Sequence, residues 1–86
     1  MPTVARGPHG IRIEQRYGEH PLPHFHAVQG NDDVMLRIAD FGVEAGAISP
    51  VALAAAQSWA QGHQAELALN WVLATAQLPL KRIMWP

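Results

Sequence analysis

The sequence predicts an α+β protein. An N-terminal antiparallel sheet of three or four strands is followed by two consecutive C-terminal helices, or one kinked helix, and a short apolar tail. Three observations predict it. Ile11-Arg12-Ile13-Glu14-Gln15-Arg16-Tyr17 alternates apolar with polar residues, the period of a half-buried strand. After Ser49-Pro50 the apolar residues recur in steps of three and four, as one helical face requires. Pro79 then ends helical structure, because it lacks the N–H that a helix interior uses.

Taken in order, Thr3-Val4-Ala5-Arg6 reads as a first short strand, closed by the turn cluster Gly7-Pro8-His9-Gly10. The alternating stretch 11–17 is the second. Pro21 and Pro23 make the next segment irregular, since each forces the residue before it into an extended conformation. His24-Phe25-His26-Ala27-Val28 reads as a strand, Gln29 to Asp33 as a loop, and Val34-Met35-Leu36-Arg37-Ile38 as the returning strand. Ala39 to Ile48 holds two glycines and two acids and reads as a connection.

Ser49 is a good N-cap and Pro50 suits the first helical position. From there Leu53, Ala56, Ala60, His63, Leu67, Trp71 and Ala74 share a face. Gly62 interrupts the run, and His63 with Glu66 has the spacing of a capping box with an imperfect cap residue. Residues 50–77 are therefore read as two helices or one kinked near Gly62, with a single straight helix as the alternative. The tail Leu80-Lys81-Arg82-Ile83-Met84-Trp85 is apolar enough to dock on the domain or on a partner.

The length of 86 residues fits one small domain, residues 1–86, near the lower limit for a self-sufficient core. A hydrophobic fraction of 49% against 15% charged residues suits a compact protein, with apolar surface to spare for a homo-oligomer or a small partner protein. The six basic residues are scattered at 6, 12, 16, 37, 81 and 82, so charge gives nucleic-acid contact no support. No cysteine is present, which removes disulfides, thiolate metal ligands and thiol nucleophiles. No membrane span or signal peptide is legible, and cytoplasm is the expected location.

The stretch Gly18-Glu19-His20-Pro21-Leu22-Pro23-His24-Phe25-His26-Ala27 carries the chemistry worth weighing. On a strand His24 and His26 point the same way and Phe25 the other. Two imidazoles at i and i+2, with His20 on the preceding loop, have the right ligand type for a divalent metal such as zinc, with Glu19 or Asp32 adding an oxygen. No cofactor follows with certainty, because the fourth ligand is unspecified. Alternatively His24 or His26 moves a proton while Arg12, Arg16 or Arg37 holds developing charge, the outline of a metal-free phosphodiester cleavage. The plain reading is a polar sheet face with ordinary imidazoles, and the residues leave open whether the protein is an enzyme. A cupin is excluded by length and a missing glutamate. A tautomerase using Pro2 is disfavoured because Met1 would block the amine and the strand-helix-strand pattern is absent.

Met1-Pro2-Thr3-Val4, Glu19-His20-x-x-Pro23-His24-Phe25-His26, Trp59…His63-Gln64-x-Glu66-Leu67-x-x-Asn70-Trp71 and Pro79-Leu80-Lys81-Arg82-Ile83 occur here in that order. In this the chain resembles the small bacterial proteins grouped as domain of unknown function family 4160. The resemblance implies a small α+β domain whose recurrent feature is the histidine stretch. It also implies a compact two-gene arrangement with another small protein, of the kind seen in toxin–antitoxin modules. By that similarity His20, His24, His26, Trp71 and Asn70 are the positions to test. Leu22 stands where relatives often have a second proline, and Gly62 where a bulkier residue is usual. Two functions follow. An interaction module of a regulatory or toxin–antitoxin-like pair, using Trp71, Met84 and Trp85 as contacts, is favoured by low charge, three tryptophans and the apolar tail. A histidine-dependent ribonuclease or metal-assisted hydrolase is the alternative.

Overall fold

The computed structural model describes residues 2–18 and 22–85. Its strands are β1 (Thr3–Arg6), β2 (Ile11–Glu14), β3 (His24–Gln29), β4 (Asp32–Arg37) and β5 (Val43–Gly46), followed by helices α1 (Pro50–Gln61) and α2 (Gln64–Thr75). The strands form one antiparallel meander in the order β1-β2-β3-β4-β5. The expected α+β order is therefore present, but the sheet has five strands rather than three or four.

The extra strand is β5, inside the segment expected to be a connection. Its four residues are all exposed, so neither face had to be apolar and no alternation marks it. Gly46 lets it close on β4: at φ 78 it lies in the left-handed region, and a Cβ there would strike the backbone carbonyl of Asp33. The β3–β4 loop is also tighter than expected. Gln29 pairs with Asp32, leaving Gly30-Asn31 as a two-residue turn with Gly30 at φ 61.

Period two decides which residues are core. Ile13, Ala27 and Val34 lie abreast across three strands, and Phe25 lies beside Leu36. All five are fully buried. They join Ala52, Ala56 and Ala60 of α1 in one core cluster, the small alanine side chains allowing the helix to come close to the sheet.

Ser49 Oγ accepts a hydrogen bond from the Ala52 N–H at 3.3 Å, and Pro50 occupies the first turn, as the sequence predicts. The stretch 50–77 resolves into two helices. Gly62 caps α1, and His63 leaves helical geometry at φ −133, ψ 23 before α2 restarts. Leu67, Asn70 and Ala74 are the buried residues of α2. Among the described residues no helix is long and apolar enough to cross a membrane.

The tail docks on its own chain. Asn70, fully buried, donates to the Lys81 carbonyl and accepts from the Lys81 N–H, both at 2.9 Å. The Ile83 N–H then donates to the Val4 carbonyl on β1 at 2.8 Å. Trp59 Nε1–H donates to the Met84 carbonyl at 2.8 Å, and its ring stacks on Trp85 with centroids 4.8 Å apart. One sheet edge, β1, is thus covered by the tail. The other edge, β5, has no strand on its outer side among the described residues.

Candidate functional site

Strands β2, β3 and β4 turn one face to the helices; the other is polar, and at its centre Glu14, His24 and His26 are buried as well. In register there, Glu14 lies beside His26 and Met35, and Arg12 beside Val28 and Asp33. His24 precedes His26 on the same face, with ring centroids 5.1 Å apart at 80°. The expectation that the two imidazoles share a face, opposite Phe25 and Ala27, holds. Trp71 of α2 packs on His24 at 5.0 Å, a contact that the helical spacing alone did not reveal.

Both imidazoles are held through Nδ1. His24 Nδ1 lies 2.6 Å from the Leu22 carbonyl, which can only accept, so Nδ1 carries the proton. His26 Nδ1–H donates to Asp33 Oδ1 at 3.1 Å. In the neutral rings the lone pair therefore sits on Nε2. The rings are only 1% and 6% exposed, so little of either meets solvent.

Asp33 is the hub. Its second oxygen accepts from Arg16 at 2.7 Å, and Arg16 also reaches Glu14 at 2.9 Å, while Arg12 approaches Glu14 at 3.4 Å. Burial alone would raise the Asp33 carboxyl, but hydrogen bonds from Arg16 and His26 outweigh it and hold the group below its ordinary range. For Arg16, burial works against the charge, yet its bonds to Asp33 and Glu14 win and push its pKa upward. The result is a chain of alternating charge, Arg12–Glu14–Arg16–Asp33, ending on His26.

Of the candidate residues, His24, His26 and Trp71 come together, with Arg12 three charge contacts away from Asp33. Arg37 does not join them. Although it is opposite His24 in register, its guanidinium is turned to Asp40 at 2.9 Å and Glu44 at 3.2 Å. Hydrogen bonds to Asp40 and Glu44 raise the Arg37 pKa, and the bond from Arg37 lowers that of Asp40. His20 and Glu19 lie outside the described residues. Among the described residues no group of three or more His, Asp or Glu side chains is placed to hold a metal ion. Met84 is 75% exposed, whereas Trp85 is half-buried on Trp59. His63 stacks on Trp59 and bonds Glu66 Oε1 at 2.7 Å, so it serves the helix junction.

Asp33 and Glu14 are the members that the sequence reading missed. The sequence pattern predicts a loop over Gln29 to Asp33 and offers Asp32 as the oxygen donor, whereas Asp33 lies on β4 opposite Val28. The signal for it lay in Gly30-Asn31, whose two-residue turn puts Asp33 on the strand and on the face of His26.

Together these features define a five-stranded meander backed by two helices, with a histidine-bearing polar face closed at one end by a helix tryptophan. The family model of a domain of unknown function (DUF4160) matches residues 10–72, from Gly10 just before β2 to Val72 in α2, and the chain belongs to that family. No curated protein and no solved structure matches the chain.

Proposed function

We propose that the protein is an interaction module, the pairing domain of a regulatory or toxin–antitoxin-like two-gene unit. The observation that carries this reading is the difference between the two sheet edges. The tail runs beside β1, while β5 leaves all four of its residues exposed and, among the described residues, has no strand along its outer side. An uncovered edge strand is a template for strand addition by another chain. Exposed Val51, Leu69 and Val72 on the helices support the reading with further apolar surface. Pairing is expected either with a second copy or with the product of the neighbouring gene.

Co-expression with that gene, followed by size-exclusion chromatography with light scattering, tests it. The wild type is expected to elute as a dimer or a stable pair at ~10 μM. Lysines at both positions in Val43→Lys/Ala45→Lys are expected to shift the assembly to monomer by blocking the edge. A monomeric wild type at ~100 μM that leaves the neighbour's product unbound would overturn the reading.

The His26–Asp33–Arg16 relay favours one second reading, a histidine-dependent ribonuclease or metal-assisted hydrolase centred on His24 and His26, with His20 as a further metal ligand. A carboxylate on Nδ1 orients a histidine whether it acts as a base or as a zinc ligand. In that case His26→Gln is expected to lower RNA cleavage by about 10²-fold or more with the melting temperature little changed. Full cleavage by the variant would end this reading.

A further inference from the structure

The chain has six basic residues, and the structure divides them into two groups. Arg12, Arg16 and Arg37 are each tied to one or two carboxylates. Arg6, Lys81 and Arg82 make no ion pair among the described residues. The fold gathers this uncompensated charge on one side, because the Ile83–Val4 hydrogen bond lays the tail along β1. Arg6 and Arg82, distant in sequence, consequently line one shallow cavity of about 290 Å³ together with Ile83, Met84 and Trp85. At the opposite edge Asp40 and Glu44 share the single cation Arg37. A net charge of −1 conceals this separation.

We propose that the Arg6–Arg82 cavity is a docking site for an acidic peptide segment of a partner protein, with carboxylates on the two guanidiniums and an apolar side chain against Met84. Guanidinium matches carboxylate in planar, two-point geometry. Met84, mostly exposed, supplies an adaptable apolar contact between the charges and the rest of the tail. Nucleic acid fits less well. Trp85, the aromatic residue of the cavity, has its ring stacked on Trp59 and pressed by Gly7, where a Cβ would strike the fused bond of the indole. A base has no open platform there, and stacking is what single-strand binding sites add to cationic charge. None of the residues lining the cavity belongs to the histidine face or to β5.

Fluorescence anisotropy on the full chain tests the site, with a fluorescein-labelled decapeptide of glutamate and leucine as probe and a fluorescein-labelled ten-residue oligouridylate in parallel. The peptide is expected to bind saturably at low salt and to weaken on raising the salt, as charge pairing requires. Arg6→Gln/Arg82→Gln is expected to weaken it by about tenfold or more, and Met84→Asp by about fivefold. Arg37→Gln removes one positive charge, half that of the double variant, from the far edge and is expected to leave binding within about twofold. Arg6, Arg82 and Met84 are exposed, so circular dichroism is expected to remain that of the wild type. Absence of saturable peptide binding, tighter binding of the oligouridylate, or wild-type affinity in the double variant would each overturn the proposal.

Discussion

Trp59→Ala is expected to cost about 3–5 kcal/mol and to set the tail free. Three contacts end on this one side chain. Its indole is 7% exposed and belongs to the core cluster, its Nε1–H holds the Met84 carbonyl, and its ring carries both Trp85 and His63. Truncation opens a cavity between α1 and the tail and leaves Trp85 with no aromatic partner. At roughly 4–8 °C per kcal/mol for a chain this small, the melting temperature is expected to fall by ~15 °C or more. Trypsin reads the tail separately, because Lys81 and Arg82 are its cleavage points there; faster cleavage at both is expected in native buffer. Trp59→Phe keeps the stack and loses the hydrogen bond, and is expected to lose only about 1 kcal/mol beyond the change in area. Cleavage of Trp59→Ala at the wild-type rate would mean that Asn70 and Ile83 alone hold the tail. The same variant bears on the Arg6–Arg82 cavity, whose second wall exists only while the tail is docked.

What the sequence made legible was whatever a repeating physical pattern wrote into it. β2, β3 and β4 each place apolar residues on the side facing the core cluster, and period two follows from that. Ser49-Pro50 marks α1 because both residues act through the backbone next to them. β5 buries nothing and so carries no pattern; its existence depends on Gly46 closing against Asp33, a contact between distant segments. The helix break at Gly62 was visible as a choice between two states, and His63 decided it by leaving helical geometry.

The candidate site follows the same division. That His24 and His26 share a face needs only strand periodicity. That Asp33 and Glu14 join His26 needs the cross-strand register, which rests on the length of one turn. Trp71 was readable as a residue on the inner helical face but not as the ring covering His24, since nothing local fixes how α2 meets the end of the sheet. Trp85 shows the converse: a terminal tryptophan in an apolar tail invites an intermolecular reading, yet its partner is Trp59 in the same chain. Asn70, polar on a helix otherwise buried through leucine and alanine, was singled out only by resemblance. Its two bonds to Lys81 give it a physical role, holding the tail as a strand neighbour would.

Phe25→Ala is expected to be the most damaging change on the histidine strand, at about 3–5 kcal/mol. Phe25 is fully buried, paired with Leu36, and part of the cluster shared with α1. A domain of this size has only about 5–10 kcal/mol in all, so the variant is expected to melt ~15–30 °C lower and to be partly unfolded at 37 °C. Phe25→Leu restores most of the volume and is expected to lose about 1 kcal/mol. The consequence reaches beyond stability, because Phe25 stands between the two residues most worth mutating for function. Loss of activity or pairing in Phe25→Ala reports the fold. Loss in His26→Gln, one residue along and on the opposite face, reports chemistry only if thermal melting shows the core intact. Should Phe25→Ala melt within ~5 °C of the wild type, the sheet and α1 do not share the core described here, and the opposition of the two faces of β3 loses its basis.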